Sequence, residues 1–337
     1  MPENWTIRAF REEDASRWDR FVLKESINGT FLQTRNFLNY HPKERFRDHS
    51  LIILNGTNWV AVIPAHEKME ERKKLLLSHQ GSTFGGLVVG KQSCKIPCME
   101  AIMETLDAYL VAQGVDEIIL KQTGSLFQQE NAELIDYFLF LNGFTESKEV
   151  GFYIDFEHYH EETISNYSSS RRRDYRYSLK NGFSFQELNT QEQIGLFYKV
   201  LCDNYRKFGK APVHTLKELL DFKTTRLTEE TGFYGVFTPE EEMIAGAMVF
   251  SFGKKVLHTQ YLAVMQEKKD LFANEFLYTN LIENARAKGY KILSFGTSTF
   301  EGGKVLNRPL ALFKEGFGTQ PFINRTYRKN YEMRKKA

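Results

Sequence analysis

One lysine interrupts an apolar run in the last tenth of the sequence. The run reads L-A-L-F-K-E-G-F-G at residues 310–318, and Lys314 is its only cation. A charge in a segment that otherwise packs is unfavourable unless it is paired or has a function. Acyl transfer to an amine or hydroxyl passes through a tetrahedral oxyanion, which a fixed ammonium in a poorly hydrated site can stabilise. The structural alternative is a lysine that extends to solvent at a helix C-terminus, where the dipole favours it.

A second group of polar residues lies in and after an apolar strand-like segment. Strand alternation places His258 and Gln260 on one face and Tyr261 on the other. An imidazole titrates near neutral pH, so His258 is a candidate general base for an attacking amine, and a buried histidine with both ring nitrogens satisfied is the alternative. Asn274 and Glu275 begin the next predicted helix, where capping is expected and contact with a donor molecule is the alternative.

Three consecutive arginines follow a run of serines. Ser168, Ser169 and Ser170 are N-cap candidates for a helix that opens with Arg171, Arg172 and Arg173. Three cations at the positive end of a helix oppose its dipole, and a bound anion such as a diphosphate would relieve the conflict. Successive helix residues point about 100° apart, so all three cannot reach one ligand. A solvated basic helix face is the alternative.

The elements that carry these residues occur twice. Residues 99–113 have apolar side chains at helical spacing, end at Gly114 and lead into a buried strand. Residues 274–288 have the same spacing, end at Gly289 and lead into a similar strand. The two glycines are 175 residues apart. This spacing predicts an internal duplication.

A second pair of glycines supports the duplication and predicts which residue of the first repeat corresponds to Lys314. The pairs Gly143-Phe144 and Gly316-Phe317 are 173 residues apart, and in this alignment Leu141 occupies the place of Lys314. The repeats are completed by predicted strands before each helix, at 86–90 and 256–264, and after each Gly-Phe pair, at 151–156 and 321–327.

Two α/β domains with mixed sheets are therefore expected. Apolar periodicity lapses over residues 157–170, which predicts a first domain of residues 1–160 and a second of 161–337. The length of 337 residues suits two domains.

Composition excludes several classes of protein. The chain is 42% hydrophobic with a net charge of +2, which gives no global field for nucleic acid, and no apolar run is long enough to cross a membrane. The N-terminal residues lack the apolar core of a secretory signal, so a cytoplasmic location is expected. Cys94, Cys98 and Cys202 suit free thiols better than a disulfide framework or a metal site.

Three segments resemble the FemAB-like family, relatives of the Fem peptidyltransferases within the GNAT acyltransferase superfamily. The segment T-F-L-Q-T-R-N-F-L at 30–38 is similar to the family's N-terminal F-x-Q-s-x-x-W. The segment S-S-S-R-R-R-D-Y-R-Y-S-L-K-N-G-F-S-F at 168–185 is similar to the arginine-rich helix that opens the family's second domain. The run around Lys314 is similar to the family's F-K-x-x-F-G. These segments occur in the family's order and span the chain.

The resemblance implies tandem GNAT-like domains and a direct acyl or aminoacyl transfer to an amine of a cell-envelope precursor or nucleotide-linked sugar. It assigns oxyanion stabilisation to Lys314 and contact with acceptor phosphates to Arg171 or Arg172, and it places the strand of His258 beside the acyl thioester. The donor is acyl-CoA or aminoacyl-tRNA; we favour acyl-CoA because no long basic stripe for tRNA is visible. The alternatives are a tRNA-dependent peptidyltransferase and a non-catalytic binding protein, since the glycine-rich diphosphate motif of CoA-using GNAT proteins is missing after residue 264.

Overall fold

The computed structural model describes residues 4–42, 44–207 and 209–331. The chain forms two compact units. Unit 1 contains the chain as far as Glu149, residues 301–304 and the chain from Ile323 onward. Unit 2 contains Val150–Phe300 and Val305–Phe322.

The elements of unit 1 come mainly from the first 141 residues. They are helices α1 (Ala15–Arg20), α2 (Arg35–Leu38), α3 (Ile96–Ala112) and α4 (Glu133–Leu141), and strands β1 (Trp5–Ala9), β2 (Arg47–Asp48), β3 (Leu51–Asn55), β4 (Asn58–Ile63), β5 (Ala65–Glu70), β6 (Lys73–Ser78), β7 (Val88–Val89) and β8 (Glu117–Lys121). Strands β1, β3, β4 and β7 form an antiparallel sheet in the order β1-β3-β4-β7. In a second sheet β6 pairs antiparallel with β5 and parallel with β8.

The remaining elements follow in chain order. The strands are β9 (Thr145–Asp155), β10 (Ser184–Glu187), β11 (Thr231–Phe237), β12 (Met243–Phe252), β13 (Val256–Val264), β14 (Ile292–Thr297), β15 (Thr299–Phe300), β16 (Val305–Leu306) and β17 (Gln320–Asn330), and the helices are α5 (Ser169–Ser178), α6 (Gln191–Arg206), α7 (Leu216–Asp221), α8 (Ala273–Ala287) and α9 (Arg308–Glu315). The sheet of unit 2 runs β10-β11-β12-β13-β14-β9. Its strands are antiparallel except for β13 and β14, which are parallel.

The helix–glycine–strand repeat is confirmed. Helix α3 ends before Gly114 and leads to β8, and α8 ends before Gly289 and leads to β14. Both glycines have a left-handed backbone, with φ of 66° and 77°, and each donates its N–H to the carbonyl three residues back. Glycine is favoured here because a side chain opposes positive φ. In each unit the strand after the helix pairs in parallel with an earlier strand, β8 with β6 and β14 with β13.

The predicted match between residues 86–90 and 256–264 is wrong. Residues 88–89 form the short strand β7 in the other sheet of unit 1. Strand β6 is the counterpart of β13, because each is the parallel neighbour of the strand that follows the long helix. The apolar, glycine-flanked composition of 86–90 indicated a strand but could not identify its sheet.

The alignment of Leu141 with Lys314 is also wrong. Gly143 has a φ of 78°, and the glycine with the same conformation after α9 is Gly318, with a φ of 76°, whereas Gly316 is right-handed helical. Both left-handed glycines donate to the carbonyl three residues back, at the 175-residue spacing of the first pair. The position equivalent to Lys314 is therefore Leu139, which is fully buried, whereas Leu141 is 58% exposed. The cation replaces a core leucine.

Each unit receives one strand from the chain that follows the other repeat. Strand β9 pairs antiparallel with β14 in unit 2, and Phe152 of β9 belongs to that unit's core. Strand β17 pairs antiparallel with β8 in unit 1, and Tyr327 and Tyr331 lie in that unit's core. No helix within the described residues is long and apolar enough to span a bilayer.

Candidate functional site

Lys314 lies on the buried face of α9 and is only 3% exposed. Its ammonium donates hydrogen bonds to the backbone carbonyls of Gly296, at 3.0 Å, and Thr297, at 2.7 Å. Burial lowers the pKa of the Lys314 amine to about 7. The alternative of a lysine that extends to solvent does not describe this side chain. Its amine is held, largely dehydrated, at the end of β14.

The Lys314 amine lies at the point where the parallel strands β13 and β14 separate. Strands β13 and β14 pair from Val256 to His258, whose partner is Ser294, and the pairing ends there. Gly296 then turns the chain with a φ of 69°, and a Cβ built there would lie 3.4 Å from Cε1 of His258. The parting of the strands thus brings His258, the Gly296 turn and the Lys314 amine together.

His258 is uncharged in this setting. Its Nδ1 lies 3.0 Å from the hydroxyl of Ser294. Burial, and then the neighbouring charge of Lys314, lower the pKa of His258 to about 4. An imidazole with so low a pKa is a weak base at neutral pH, and it places no second positive charge beside the lysine. Ser294, which sequence analysis did not single out, orients the ring.

The other two residues of the strand lie in different surroundings. The register of β12 with β13 shifts between the pairs Met248–Tyr261 and Val249–Thr259, so Gln260 is the extra residue of a β-bulge. The Tyr261 hydroxyl lies 2.6 Å from Nδ1 of His214, and both side chains are buried. His214 lies just before α7 and no spacing in the sequence links it to Tyr261.

Arg171 does not extend into solvent. Its guanidinium forms an ion pair with Glu275 in the first turn of α8 and lies over the ring of Phe313 on α9, 4.1 Å from the ring centroid. The backbone N–H of Ser168 donates to the carbonyl of Gly316 at 2.9 Å. A Cβ at Gly316 would approach the Arg171 Nε to 3.2 Å. Arg171 therefore connects α5 and α8 to the helix that carries Lys314.

The other arginines point elsewhere. Arg172 donates to the carbonyl of Tyr167 at 3.1 Å, and the exposed Arg173 pairs with Asp174. The predicted N-cap of α5 is confirmed, since the Ser168 hydroxyl accepts from the N–H of Arg171. The three guanidinium groups do not converge on one point.

Asn274 is half-buried in the first turn of α8. The N-cap of this helix is Phe272, and no side chain caps it within the described residues, so the predicted capping by Asn274 and Glu275 is wrong.

In unit 1 the equivalent point is where strands β6 and β8 separate, and backbone N–H groups of the chain itself lie there. Strands β6 and β8 pair as far as Leu77 and Ile119. The Ser78 hydroxyl then accepts from the N–H groups of Gly86 and Lys121 at 2.8 Å each. Gln33 holds this segment by donating to the carbonyl of Gly85, adjacent to Gly86. The F-x-Q motif thus has a structural role in unit 1.

The link between β13 and α8 does not fit the diphosphate of CoA. It forms a 3-10 helix over Gln266–Leu271, whose last carbonyl accepts from Asn181. Phe272 has a left-handed backbone with a φ of 58° and stacks on Tyr177 at 5.8 Å. The buried carboxylate of Glu275 already offsets the positive end of α8. A diphosphate at such an end needs little steric hindrance from side chains, which glycines provide and this segment lacks.

Two other predictions concern cysteines and metals. All three cysteines are free thiols, as expected. Within the part of the chain that the structure describes, no group of three or more His, Cys, Asp or Glu side chains could hold a metal ion.

Comparison with solved structures shows the fold. FemX matches with a TM-score of 0.68 and 12% identity over 97% of this chain and 98% of that one. The C-terminal domain of a putative lysylphosphatidylglycerol synthetase from Agrobacterium fabrum matches with a TM-score of 0.60 and 11% identity over 95% and 93%. A tandem GNAT protein from the clavulanic acid biosynthesis pathway matches with a TM-score of 0.57 and 9% identity over 97% and 98%.

No protein-family model and no curated protein matches the chain. At the identities of the solved structures the likeness is one of fold, and the predicted duplicated GNAT-like fold is confirmed.

Proposed function

We propose that this chain is an aminoacyltransferase or acyltransferase that moves its group directly from an activated donor to an amine, with the reaction in unit 2. The observation that carries this proposal is the dehydrated Lys314 amine at the parting of β13 and β14. The fold shared with FemX and the lysylphosphatidylglycerol synthetase domain supports it as an analogy of architecture.

Lys314 acts as the oxyanion donor. A protonated amine has three N–H groups, of which two are used by the carbonyls of Gly296 and Thr297. The third N–H is left for the oxygen of the tetrahedral intermediate. Because the amine is held by backbone and is shielded from water, little reorganisation is needed when the charge develops. His258 lies beside the Lys314 amine and is neutral, so the Lys314 ammonium is the dominant charge there.

Aminoacyl-tRNA is the donor that these surroundings favour. The glycine-free segment between β13 and α8 disfavours binding of acyl-CoA, as described above. Helix α5 and the residues after it present exposed cations, namely Arg173, Arg176, Lys180 and, from the 3-10 helix, Lys269. Exposed Tyr177 lies among them, stacked on Phe272. Cations interleaved with aromatic rings bind RNA backbone and unpaired bases.

The acceptor is an amine of a cell-envelope precursor. A nucleotide-linked sugar precursor and a lipid-linked one share that chemistry. The experiment combines the protein with radiolabelled aminoacyl-tRNA or radiolabelled acetyl-CoA and an envelope extract, and it follows label into the nucleotide-sugar and lipid fractions. Label should transfer from aminoacyl-tRNA.

Lys314→Met should reduce that transfer about 10²- to 10³-fold, the usual loss for one oxyanion donor. Lys180→Met, on the exposed basic face, is the matched control and should weaken tRNA binding without changing the rate at saturating donor. Transfer from acetyl-CoA alone would overturn the donor assignment. Donor binding without transfer by the unaltered protein would support a non-catalytic binding protein.

A further inference from the structure

The hydroxyl group of Ser294 determines which nitrogen of the His258 ring carries the proton. Ser294 is fully buried on β14, and its Oγ lies 3.0 Å from Nδ1 of His258. The same oxygen accepts from the N–H of Gly296 at 3.4 Å. Among the described residues, Nδ1 of His258 is the only atom placed to accept the hydroxyl proton. A buried hydroxyl without an acceptor is unfavourable, so Ser294 donates to Nδ1.

The His258 ring is therefore a donor at its other nitrogen. Burial, and then the charge of Lys314, lower the pKa of His258 to about 4, so the ring is neutral at pH 7 and carries one proton. Because Nδ1 accepts from Ser294, that proton lies on Nε2. A general base would need a bare Nε2. The proton would then have to lie on Nδ1, and the buried Ser294 hydroxyl would lose its acceptor.

His258 lies on the face of the sheet that carries α6 and α7. It pairs with Phe250 of β12, whose ring centroid is 6.2 Å from that of Phe222, directly after α7. Its strand neighbour Leu257 points to the opposite face and belongs to the core with α8. The His258 ring is half-buried, and its Cε1 would lie 3.4 Å from a Cβ built on Gly296. The edge of the ring that includes Nε2 thus lies beside the turn at which β13 and β14 separate.

We propose that His258 is a hydrogen-bond donor to the substrate, and that Ser294 is the positioning residue that keeps its proton on Nε2. The Nε2–H group donates to an oxygen of the molecule bound where β13 and β14 separate. This role rests on the proposed transferase function, since the oxygen belongs to one of the two substrates. A neutral donor suits this place because it binds an oxygen without a second positive charge beside Lys314.

The donor role also defines the chemistry of the group that His258 contacts. An N–H group binds an oxygen with a free lone pair, such as a carbonyl, carboxylate or phosphate oxygen. The carbonyl of the donor ester and an oxygen near the amine of the acceptor share that chemistry.

Nitrogen-15 NMR of the histidine rings tests the tautomer in the unaltered chain. Two-bond correlations between ring protons and ring nitrogens distinguish Nδ1 from Nε2, and a bare nitrogen resonates well downfield of a protonated one. The His258 signals, assigned by their loss in His258→Gln, should show a bare Nδ1 and a protonated Nε2 at pH 7. A protonated Nδ1 would overturn the proposal.

Two substitutions of His258 separate a donor from a base. Glutamine keeps an N–H donor near the position of Nε2 but has no basic nitrogen, whereas leucine has neither. In transfer from radiolabelled aminoacyl-tRNA, His258→Leu should lose about 10²-fold, as for one oxyanion donor. His258→Gln should lose at most about tenfold. Equal losses in the two variants would show that the donor is not what the reaction needs.

Ser294→Ala tests the positioning role. Without the hydroxyl group nothing fixes the tautomer of His258, so NMR should show a protonated fraction at Nδ1, and transfer should fall roughly tenfold. A mixed tautomer with an unchanged rate would contradict the role of Ser294.

The kinetic constants of His258→Leu identify the substrate that supplies the oxygen. A higher KM for the acceptor with unchanged kcat supports a contact with the acceptor, and a lower kcat with unchanged KM supports a contact with the reacting carbonyl. A protonated Nδ1 in a protein that transfers label would reject the donor role and leave the transferase function standing. No transfer by the unaltered protein would reject the transferase function, and the substrate contact with it, whichever tautomer NMR shows.

Discussion

At the scale of a residue, Lys314 should cost the protein stability in a way that depends on pH. The folded pKa of about 7 lies below the ordinary lysine value of 10.5. The unfolded chain therefore binds more protons than the folded one between these values, and the free energy of unfolding rises with pH by up to about 1.4 kcal/mol per unit. Lys314→Met should raise the melting temperature at pH 7, and its advantage should shrink by about 2 kcal/mol at pH 9. An advantage that stays constant would show that the amine is not dehydrated.

The pH dependence of transfer tests which form of Lys314 works. An oxyanion donor must be protonated, so its contribution to kcat/KM should fall as pH rises through about 7. In Lys314→Arg the cation stays protonated across this range, so that variant should lack the fall while it keeps part of the rate. The ratio of the two pH profiles removes the titration of the attacking amine, which both share. A ratio that instead rises with pH would assign Lys314 the role of a base.

The sequence identified this lysine, but its partners could not be predicted. The apolar neighbours of Lys314 marked it as an unusual charge, but they left open whether its amine is buried or extends to solvent. The carbonyls of Gly296 and Thr297 that hold it are backbone groups, which any residue possesses. Arg171 and Glu275 are 104 residues apart, and only the fold brings them together.

At the scale of an element, the two helix ends give a matched pair of glycines. Gly143 and Gly318 share a left-handed backbone, which costs alanine about 1–2 kcal/mol. A Cβ at Gly143 would meet nothing within 4 Å, whereas one at Gly318 would lie 2.7 Å from the carbonyl oxygen of Asn166. Gly318→Ala should therefore destabilise the protein clearly more than Gly143→Ala in urea unfolding. Equal losses would contradict the close approach of the Asn166 carbonyl to Gly318.

The elements show where sequence patterns were sufficient and where they failed. Apolar spacing and a terminal glycine located α3 and α8, because the 3.6-residue period and the left-handed cap are local properties. The sequence alignment of the end of α9 with the end of α4 was wrong because a Gly-Phe pair occurs at both. In α9, however, Gly316 is helical and Gly318 is the glycine that turns the chain. The bulge at Gln260 depends on pairing with β12, which a single strand does not encode.

At the scale of the whole molecule, two aromatic residues test the exchange of strands. Tyr327 follows the second repeat in sequence but packs in the core of unit 1, and Phe152 follows the first but packs in the core of unit 2. Truncation of a buried aromatic side chain costs about 3–5 kcal/mol. Tyr327→Ala should speed hydrogen exchange in β8, and Phe152→Ala should do so in β14. The opposite pattern would contradict the observed pairing.

The exchanged strands also bear on the order in which the chain folds as it is made. Strand β17 is synthesised after α9, so β8 has no partner on that side while all of unit 2 is produced. An unpaired strand edge is prone to associate with other chains. Strand β9, in contrast, is synthesised before the rest of unit 2 and can pair with β14 as soon as β14 is made. Although N-terminal domains usually fold first on the ribosome, here the second unit can close its sheet before the first.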